Sequence, residues 1–187
     1  AIRKYGESAF TRDVIEETTK QTIHEREQHW IDRVRAFMRE HVVPAMPVYD
    51  AQMAAFGQDR WQTPAIVEDL KARARAEGLW NLFMPPAHGA FHVETSFRFE
   101  GPGLSNLEYA GCAEEMGRLT WASEVFNCNA PDTGNMEVLA RYGTPEQQER
   151  FVAALMRTDF LCCQLFSEPG AGSDLASAQT SAARDGQ

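Results

Sequence analysis

The residues whose types and spacing could do chemistry lie together near the end of the chain. An apolar run, LCCQLF at 161–166, is followed by the loop EPGAGSD at 168–174. Two glycines in such a loop let backbone N–H groups and a small hydroxyl approach a ligand, a common way to hold a phosphate or a ring. The loop has no Lys of the phosphate-binding P-loop type. From the residues alone, a structural turn and a ligand-binding loop therefore remain equally open.

Other reactive side chains show no catalytic pattern. Glu168 and Asp174 in the loop could be taken for an acid–base pair, but acidic residues at turns more often accept backbone hydrogen bonds. We therefore expect both to fix the loop and assign no catalytic residue. The four cysteines have no metal-ligand spacing and are predicted to be reduced and buried, and the five histidines form no metal or triad constellation. No metal site is expected.

Composition narrows the class of protein. The 187 residues, 43% of them hydrophobic, are enough for one globular domain with a core. A net charge of −9 argues against nucleic acid and anionic membranes as partners, because both require a cationic surface. No apolar stretch approaches the roughly 20 residues of a membrane span, and no secretory signal opens the chain. An anionic ligand would have to be held by local donors.

Apolar periodicity predicts helices through most of the chain. A helix from Glu25 is expected to end at Pro44 and Pro47, and a second one, capped by Thr63, to end at Gly78. Residues 79–84 read as a buried connector or brief strand, and residues 88–103 as a long loop. Capping boxes at 105–108 and 144–147 begin two more helices, with others at about 121–129 and 133–142. In the helix after 105, Leu107 is expected to face inward.

The pattern changes after residue 159. Residues 160–166 are nearly all apolar and predict a buried strand, residues 176–183 suggest a second strand, and Asp185-Gly186 reads as a hairpin turn. The fold class is therefore mainly α, a helical bundle leading into the first strands of an incomplete β-domain. We divide the chain into an N-terminal arm (1–24), a helical domain (25–158) and the beginning of the β-domain (159–187).

Several separated segments resemble the acyl-CoA dehydrogenase family. The stretch QLFSEPGAGSD at 164–174 is similar to the family's flavin-binding strand and loop, usually an aromatic or polar residue, two variable residues, then Thr-Glu-Pro-x-Ala-Gly-Ser-Asp. Further resemblance lies in RVRAFMREHVVPA at 33–45, GLWNLFMP at 78–85, GLSNLEYAGCAEEMGR at 103–118 and APDTGNMEVLARYGTPEQQERF at 130–151. The segments GLSNLEYA and APDTGNMEVL are most similar to one branch of the family, whose members sometimes carry a fused phosphotransferase-like domain. Nothing in this sequence matches such a domain.

The resemblance implies roles for individual residues. Gln164, which stands where an aromatic residue is common, Phe166 and Ser167, which stands where Thr is common, would lie along the isoalloxazine of FAD. Gly172 and Ser173 would contact the FAD pyrophosphate.

Substrate contacts are implied in the same way. Ser173 would also meet the thioester arm of acyl-CoA. Trp121, Val125 and Phe126 would help to line the fatty acyl tunnel, although plain core packing accounts equally well for each of the three.

The implied reaction is the oxidation of an acyl-CoA thioester to the trans-2-enoyl-CoA, with the β-hydrogen leaving as hydride to the flavin. The base of the family is a Glu on a C-terminal helical domain outside this sequence, so we expect the chain alone to be inactive. The alternative is a non-catalytic acyl- or flavin-binding or assembly partner of the same ancestry, and a weaker one is a helical interaction domain whose loop binds nothing.

The family also implies partners and a location. They are acyl-CoA, an electron-transfer flavoprotein or similar acceptor, and further copies of the full-length protein in a dimer or tetramer. The compartment would be cytoplasmic in a bacterium and mitochondrial or peroxisomal in a eukaryote.

Overall fold

The described part of the chain is built from helices. The computed structural model describes residues 20–59, 61–84, 100–181 and 183. Predictions for residues 1–19, for most of the loop at 88–103 and for the turn at 185–186 fall outside these residues. The helices are α1 (Lys20–Phe37), α2 (Val43–Ala55), α3 (Ala65–Ala76), α4 (Asn106–Met116), α5 (Ala122–Val125), α6 (Asp132–Tyr142), α7 (Pro145–Gln147) and α8 (Ala153–Arg157). π-Helical segments Met38–Val42 and Gln148–Val152 join α1 to α2 and α7 to α8.

The first helix continues through the prolines, so the prediction that Pro44 and Pro47 end it is wrong. In the π segment the Val43 N–H donates to the Met38 carbonyl, five residues back instead of four. This offset places Pro44, which has no N–H, in the first turn of α2, where an N–H would have no helical partner. Pro47 lies inside α2.

Helices α1 and α4 approach each other closely at a glycine. A Cβ atom on Gly111 would lie 2.4 Å from Cδ1 and 2.7 Å from Cγ1 of Ile31. Any larger side chain at this position would have to displace Ile31, because packed interiors leave little free volume. The absence of a side chain at Gly111 therefore sets the separation of the two helices.

Two ion pairs flank this close approach. Arg26 Nε lies 2.7 Å from Glu108 Oε1, and Arg35 Nη2 lies 2.8 Å from Glu115 Oε1. Both carboxylates are buried, whereas both guanidinium groups reach solvent. The order of the pairs along the two helices shows that α1 and α4 run parallel.

The same ion pairs correct the predicted inward face of α4. Leu107 is 63% exposed, while Glu108, Cys112, Glu115 and Met116 are buried. A buried carboxylate is tolerated when an opposite charge and hydrogen bonds compensate for the lost water. The inward face thus carries acids paired with α1, which apolar periodicity cannot indicate.

The ends of α3 show one wrong prediction and one confirmed prediction. Pro64 occupies the N-cap position without a side-chain hydrogen bond, so Thr63 is not the cap. Gly78 ends the helix as predicted, with φ of 69°, and the Leu79 N–H donates to the Ala74 carbonyl at 2.8 Å. This six-to-one bond is that of a Schellman motif, which requires a residue that adopts positive φ easily.

The core draws on every long helix and on the connector after α3. Residues 79–84 are all buried and contain no strand, which decides between the two predicted alternatives. Four of them, Leu79, Leu82, Phe83 and Met84, belong to one core cluster with Val34 and Phe37 of α1 and with Phe126, whose ring meets that of Phe37 edge-on at 5.4 Å. Both predicted capping boxes are present, one at Ser105 and one at Thr144.

No strand forms among the described residues, so the strand predictions for 160–166 and 176–183 are wrong for this structure. Beyond α8 the described chain is irregular, apart from the 3₁₀ turn Leu175–Ser177 and an isolated bridge between Glu168 and Ala171. A strand is stable only when its backbone bonds to a neighbour, and the described residues offer none beside 160–166. The mainly α fold class is confirmed.

Gly111→Ala is expected to destabilise the protein, because the added methyl group overlaps Ile31. Overpacking lowers the free energy of unfolding by about 1–3 kcal/mol, and replacing a helical glycine with alanine raises it by about 1 kcal/mol. The expected net loss is about 1 kcal/mol. Urea unfolding followed by circular dichroism measures it. Adding Ile31→Val to Gly111→Ala removes the nearest methyl group and should restore part of the lost stability. A double variant with the same urea midpoint as Gly111→Ala alone would contradict the contact.

The buried Glu115 carboxylate is expected to make stability depend on acid pH. Burial favours its neutral form, but hydrogen bonds from Arg35 and Arg118 outweigh burial, and the pKa of Glu115 is lowered from its ordinary value of 4.5. The unfolded chain therefore binds this proton more tightly. The corresponding stability is present above pH 4.5 and is lost as the pH falls through the lowered pKa.

Glu115→Gln tests this dependence. We expect it to lower the free energy of unfolding by about 2 kcal/mol at neutral pH, since a charge-assisted bond is lost, and to flatten the decline in acid. Asp32→Asn is the control, because Asp32 pairs with the same Arg35 but is exposed, and it should change stability by less than about 0.5 kcal/mol. Urea unfolding across acid and neutral pH would refute the assignment if the two variants behaved alike.

Candidate functional site

The glycine loop is held by its own backbone and by Glu168. The Glu168 and Ala171 backbones exchange hydrogen bonds of 2.9 and 3.0 Å. The Glu168 carboxylate accepts the N–H groups of Gln179 and Thr180, chiefly the latter, and this lowers its pKa. Asp174 accepts the hydroxyl of Ser177. Glu168 therefore fixes the loop through backbone hydrogen bonds as predicted, whereas the Asp174 carboxylate does so through a side chain.

The loop has unused backbone donors, and the space beside its glycines is open. Within the described residues the N–H groups of Gly172 and Ser173 donate to no acceptor. A Cβ atom built on Gly170 or Gly172 would meet nothing within 4 Å. Unpaired N–H groups beside an open approach are suited to phosphate oxygens, so these residues fit the pyrophosphate part of a dinucleotide.

The segment that leads into the loop exposes apolar side chains. Leu165 is 91% exposed and Phe166 is 59% exposed, and Ser167 lies beside them on the surface. The side chain of Gln164 donates to Asn135 Oδ1 at 2.9 Å. An uncovered ring next to a fixed amide is compatible with a flat partner such as an isoalloxazine, so the predicted contact residues fit that group as well.

Helix α6 anchors this segment at two points. The Cys162 N–H donates to Asp132 Oδ1 at 2.7 Å, and Gln164 bonds to Asn135 one turn further along the helix. Asp132 is buried, which raises its pKa although the Cys162 N–H acts in the opposite direction. Its position in the first turn of α6 favours a carboxylate through the helix dipole.

The predicted acyl-contact residues lie on and beside α5. Val125 and Phe126 are completely buried in the helical core, and Trp121 stacks on Tyr49 with ring centroids 4.3 Å apart. No hydrogen bond or ring contact among the described residues joins them to the glycine loop. The described structure therefore supports their packing role, and their contact with an acyl chain stays a prediction.

A buried lysine ties α5 to α3. Lys71 Nζ lies 2.9 Å from Glu124 Oε1 and 2.8 Å from Glu68 Oε1. Burial alone would lower the pKa of Lys71, but the two carboxylates outweigh it and the pKa is raised. The ammonium group thus remains charged and holds α5 in place.

Other kinds of site receive no support from the described residues. Cys112 and Cys128 are buried free thiols as predicted, whereas Cys163 is exposed, contrary to the prediction. Burial raises the pKa of Cys112 to about 11. No group of three His, Cys, Asp or Glu side chains in the described ranges could hold a metal ion. Among the same residues, no helix has the length and apolar character that crossing a membrane requires.

The family follows from comparison with known proteins. Residues 24–159 match the model of the acyl-CoA dehydrogenase N-terminal domain. The chain belongs to the acyl-CoA dehydrogenase family.

Relatives agree with this membership. The chain is 43% identical to acyl-CoA dehydrogenase family member 11 of Gallus gallus over 157 residues, covering 82% of this chain and 18% of that protein. It is 43% identical to family member 10 of Mus musculus over 141 residues, covering 75% and 12%. A solved structure of a Mycobacterium abscessus protein assigned to the acyl-CoA dehydrogenases superposes with a TM-score of 0.65 at 40% identity, covering 81% and 36%. The chain thus spans less than a fifth of these two curated relatives.

Sequence reasoning missed the residues of α6 that anchor the segment. Asp132 and Asn135 lie in the family-like stretch APDTGN, and a polar residue followed three positions later by another is a detectable pattern on one helix face. What the pattern does not show is the partner, because Cys162 and Gln164 lie about thirty residues further along the chain.

Val125→Ala is expected to lower the free energy of unfolding by about 2 kcal/mol, because it removes two buried methyl groups and leaves a cavity. Val138→Ala is the matched control, since Val138 is also helical but 57% exposed, and should change stability by less than about 0.5 kcal/mol. Chemical unfolding compares the two. Equal effects would show that Val125 is not part of the core.

Proposed function

We propose that this chain provides the N-terminal helical domain and part of the cofactor and substrate site of an FAD-dependent acyl-CoA dehydrogenase. The observation that carries the proposal is the family membership of residues 24–159, together with a loop at 168–174 whose N–H donors at Gly172 and Ser173 are free. The reaction would convert an acyl-CoA thioester to the trans-2-enoyl-CoA. Bound FAD would supply the hydride acceptor for it.

The chain's residues would bind and orient. The N–H groups of Gly172 and Ser173 would hold pyrophosphate oxygens, and the Ser173 hydroxyl would meet the thioester arm. Phe166 would cover part of the flavin ring, with Gln164 and Ser167 beside it. Backbone donors explain how a chain with a net charge of −9 would hold anionic ligands without a cationic patch.

Proton abstraction is not assigned to any residue of this chain. Glu168 Oε1 accepts backbone N–H groups and Asp174 Oδ2 accepts the Ser177 hydroxyl, so both carboxylates are assigned to holding the loop. The base would lie in the complete gene product, outside these residues. The electron acceptor would be a separate electron-transfer flavoprotein or a similar protein, and the full-length protein would form a dimer or tetramer. The compartment proposed with this function is the cytoplasm in a bacterium, and mitochondria or peroxisomes in a eukaryote.

The decisive experiment purifies the complete gene product and records its visible spectrum. Flavin bands that bleach when an acyl-CoA is added without oxygen are expected. A folded but colourless protein that takes up no FAD would contradict the proposal and favour the non-catalytic partner. Bound FAD that no acyl-CoA reduces would favour a flavin-binding protein without dehydrogenase activity.

The loop itself can be tested with two matched glycine variants. Gly172→Val and Gly170→Val place the same side chain in open space, so neither should disturb folding. Only Gly172 is assigned to the pyrophosphate, and we expect its variant to weaken FAD binding at least about tenfold through steric exclusion, with a much smaller effect at Gly170. Fluorescence titration with FAD measures both. Equal losses would argue against the assigned contact.

A further inference from the structure

The described residues other than glycine that have positive φ all surround one point of the fold. They are Asn81, Asn127 and Thr158, with φ of 53°, 51° and 60°. This backbone conformation is unfavourable for any residue with a Cβ atom and persists only where the surroundings enforce it. Asparagine tolerates it better than most residues, and Asn81 and Asn127 are both buried.

The two asparagines bind the end of α8. Asn127 Nδ2 donates to Asn81 Oδ1 at 2.7 Å and to the Leu155 carbonyl at 3.1 Å. The Met156 carbonyl receives the Trp80 Nε1–H at 2.8 Å and lies 3.4 Å from the amide nitrogens of both asparagines. Carbonyls in the last turn of a helix lack partners in the regular helix ladder. The Met156 carbonyl is bonded by these side chains, and the Leu155 carbonyl accepts Asn127 in addition to the Thr158 N–H.

Backbone bonds join the two asparagines to neighbouring elements. The Asn81 N–H donates to the Phe126 carbonyl at 3.1 Å, and the Asn127 N–H donates to the Glu124 carbonyl at 3.0 Å. The connector after α3, the end of α5 and the end of α8 therefore meet at these two side chains. Gly101 completes the junction, because a Cβ atom there would lie 2.8 Å from the Asn81 carbonyl oxygen.

The chain leaves this junction toward the glycine loop. Thr158 ends α8 with its N–H bonded to the Leu155 carbonyl at 3.0 Å. The Cys162 N–H is then held by Asp132, and Gln164 follows. Because the segment 160–166 has no strand partner among the described residues, the end of α8 and the anchors on α6 are what fix its path.

We propose that Asn127, acting with Asn81, is a positioning residue for the segment 160–174. Its amide fixes the last carbonyls of α8 and thereby the direction in which the predicted flavin-contact residues leave the helical domain. The part of this inference that concerns FAD rests on the proposed function. The part that concerns the order of the segment does not.

This role requires the amide group of an asparagine. Asn127 must give hydrogen atoms to two acceptors, Asn81 Oδ1 and the Leu155 carbonyl, in a conformation with positive φ. An ionised aspartate has the same shape but only acceptors, and it would face both oxygens without a hydrogen atom. Glycine fits the backbone conformation and removes the side chain. Replacing Asn127 with aspartate or with glycine therefore separates the effect of the amide group from that of the backbone conformation.

The test uses Asn127→Asp and Asn127→Gly in the complete gene product, with Gly111→Ala as a control that destabilises the domain at the α1–α4 contact. Hydrogen exchange of the Cys162 amide, which is bonded to Asp132, is measured well below the melting temperature, and FAD affinity by fluorescence titration. We expect exchange to become about tenfold faster in both Asn127 variants, while the control stays within about twofold of the wild type. FAD affinity should fall by a similar factor in the Asn127 variants only.

The outcomes are distinguishable. Unchanged exchange of the Cys162 amide in Asn127→Gly overturns the positioning role. So does a Gly111→Ala control whose exchange rate and FAD affinity change as much as those of an Asn127 variant with the same melting temperature. If Asn127→Asp does not fold, Asn127→Gly decides. A wild-type protein that binds no FAD overturns the proposed function, and hydrogen exchange still decides the positioning role in that case.

Discussion

The burial of two carboxylates between α1 and α4 is the constraint on which the helical domain depends. Arg26 and Arg35 reach Glu108 and Glu115 from α1, and Ser105 and Arg118 complete the compensation for their burial. An unpaired charge there would cost far more than the pairs contribute, so the two helices have to meet in this alignment. Gly111 allows the backbones to come close enough for both pairs to form together.

That alignment determines where the remaining elements pack. With α1 and α4 fixed, the core places Phe37 against Phe126, and the connector at 79–84 is enclosed beneath α5 and α8. The Lys71–Glu124 pair then attaches α3 to α5. These polar groups are satisfied in sets, and each set joins elements that are distant in sequence, which limits the arrangements available to the domain.

The candidate site lies where this ordered interior ends. Cys162 and Gln164 are held by side chains of the helical domain, whereas Leu165, Phe166 and most of the glycine loop face solvent. Such a segment combines a fixed starting point with uncovered donors and rings. This combination suits a site completed by other groups, and it agrees with an N-terminal domain that spans only 36% of the solved relative.

Local features of the fold followed from the sequence alone. The capping boxes at Ser105 and Thr144, the stop at Gly78 and the burial of residues 79–84 depend on neighbouring residues, so their patterns are visible in a short window. The family resemblance was equally visible, because many separated motifs agreed. The mainly α class required only apolar periodicity.

Tertiary structure decided what depends on distant partners. The inward acids of α4 require arginines of α1, the prolines of α2 require a π segment that offsets the helix ladder, and a strand at 160–166 requires a neighbour that the described residues do not contain. The same reason hid the anchors Asp132 and Asn127. A hydrogen bond between residues far apart in the chain leaves no local pattern, because only the folded backbone brings its two ends together.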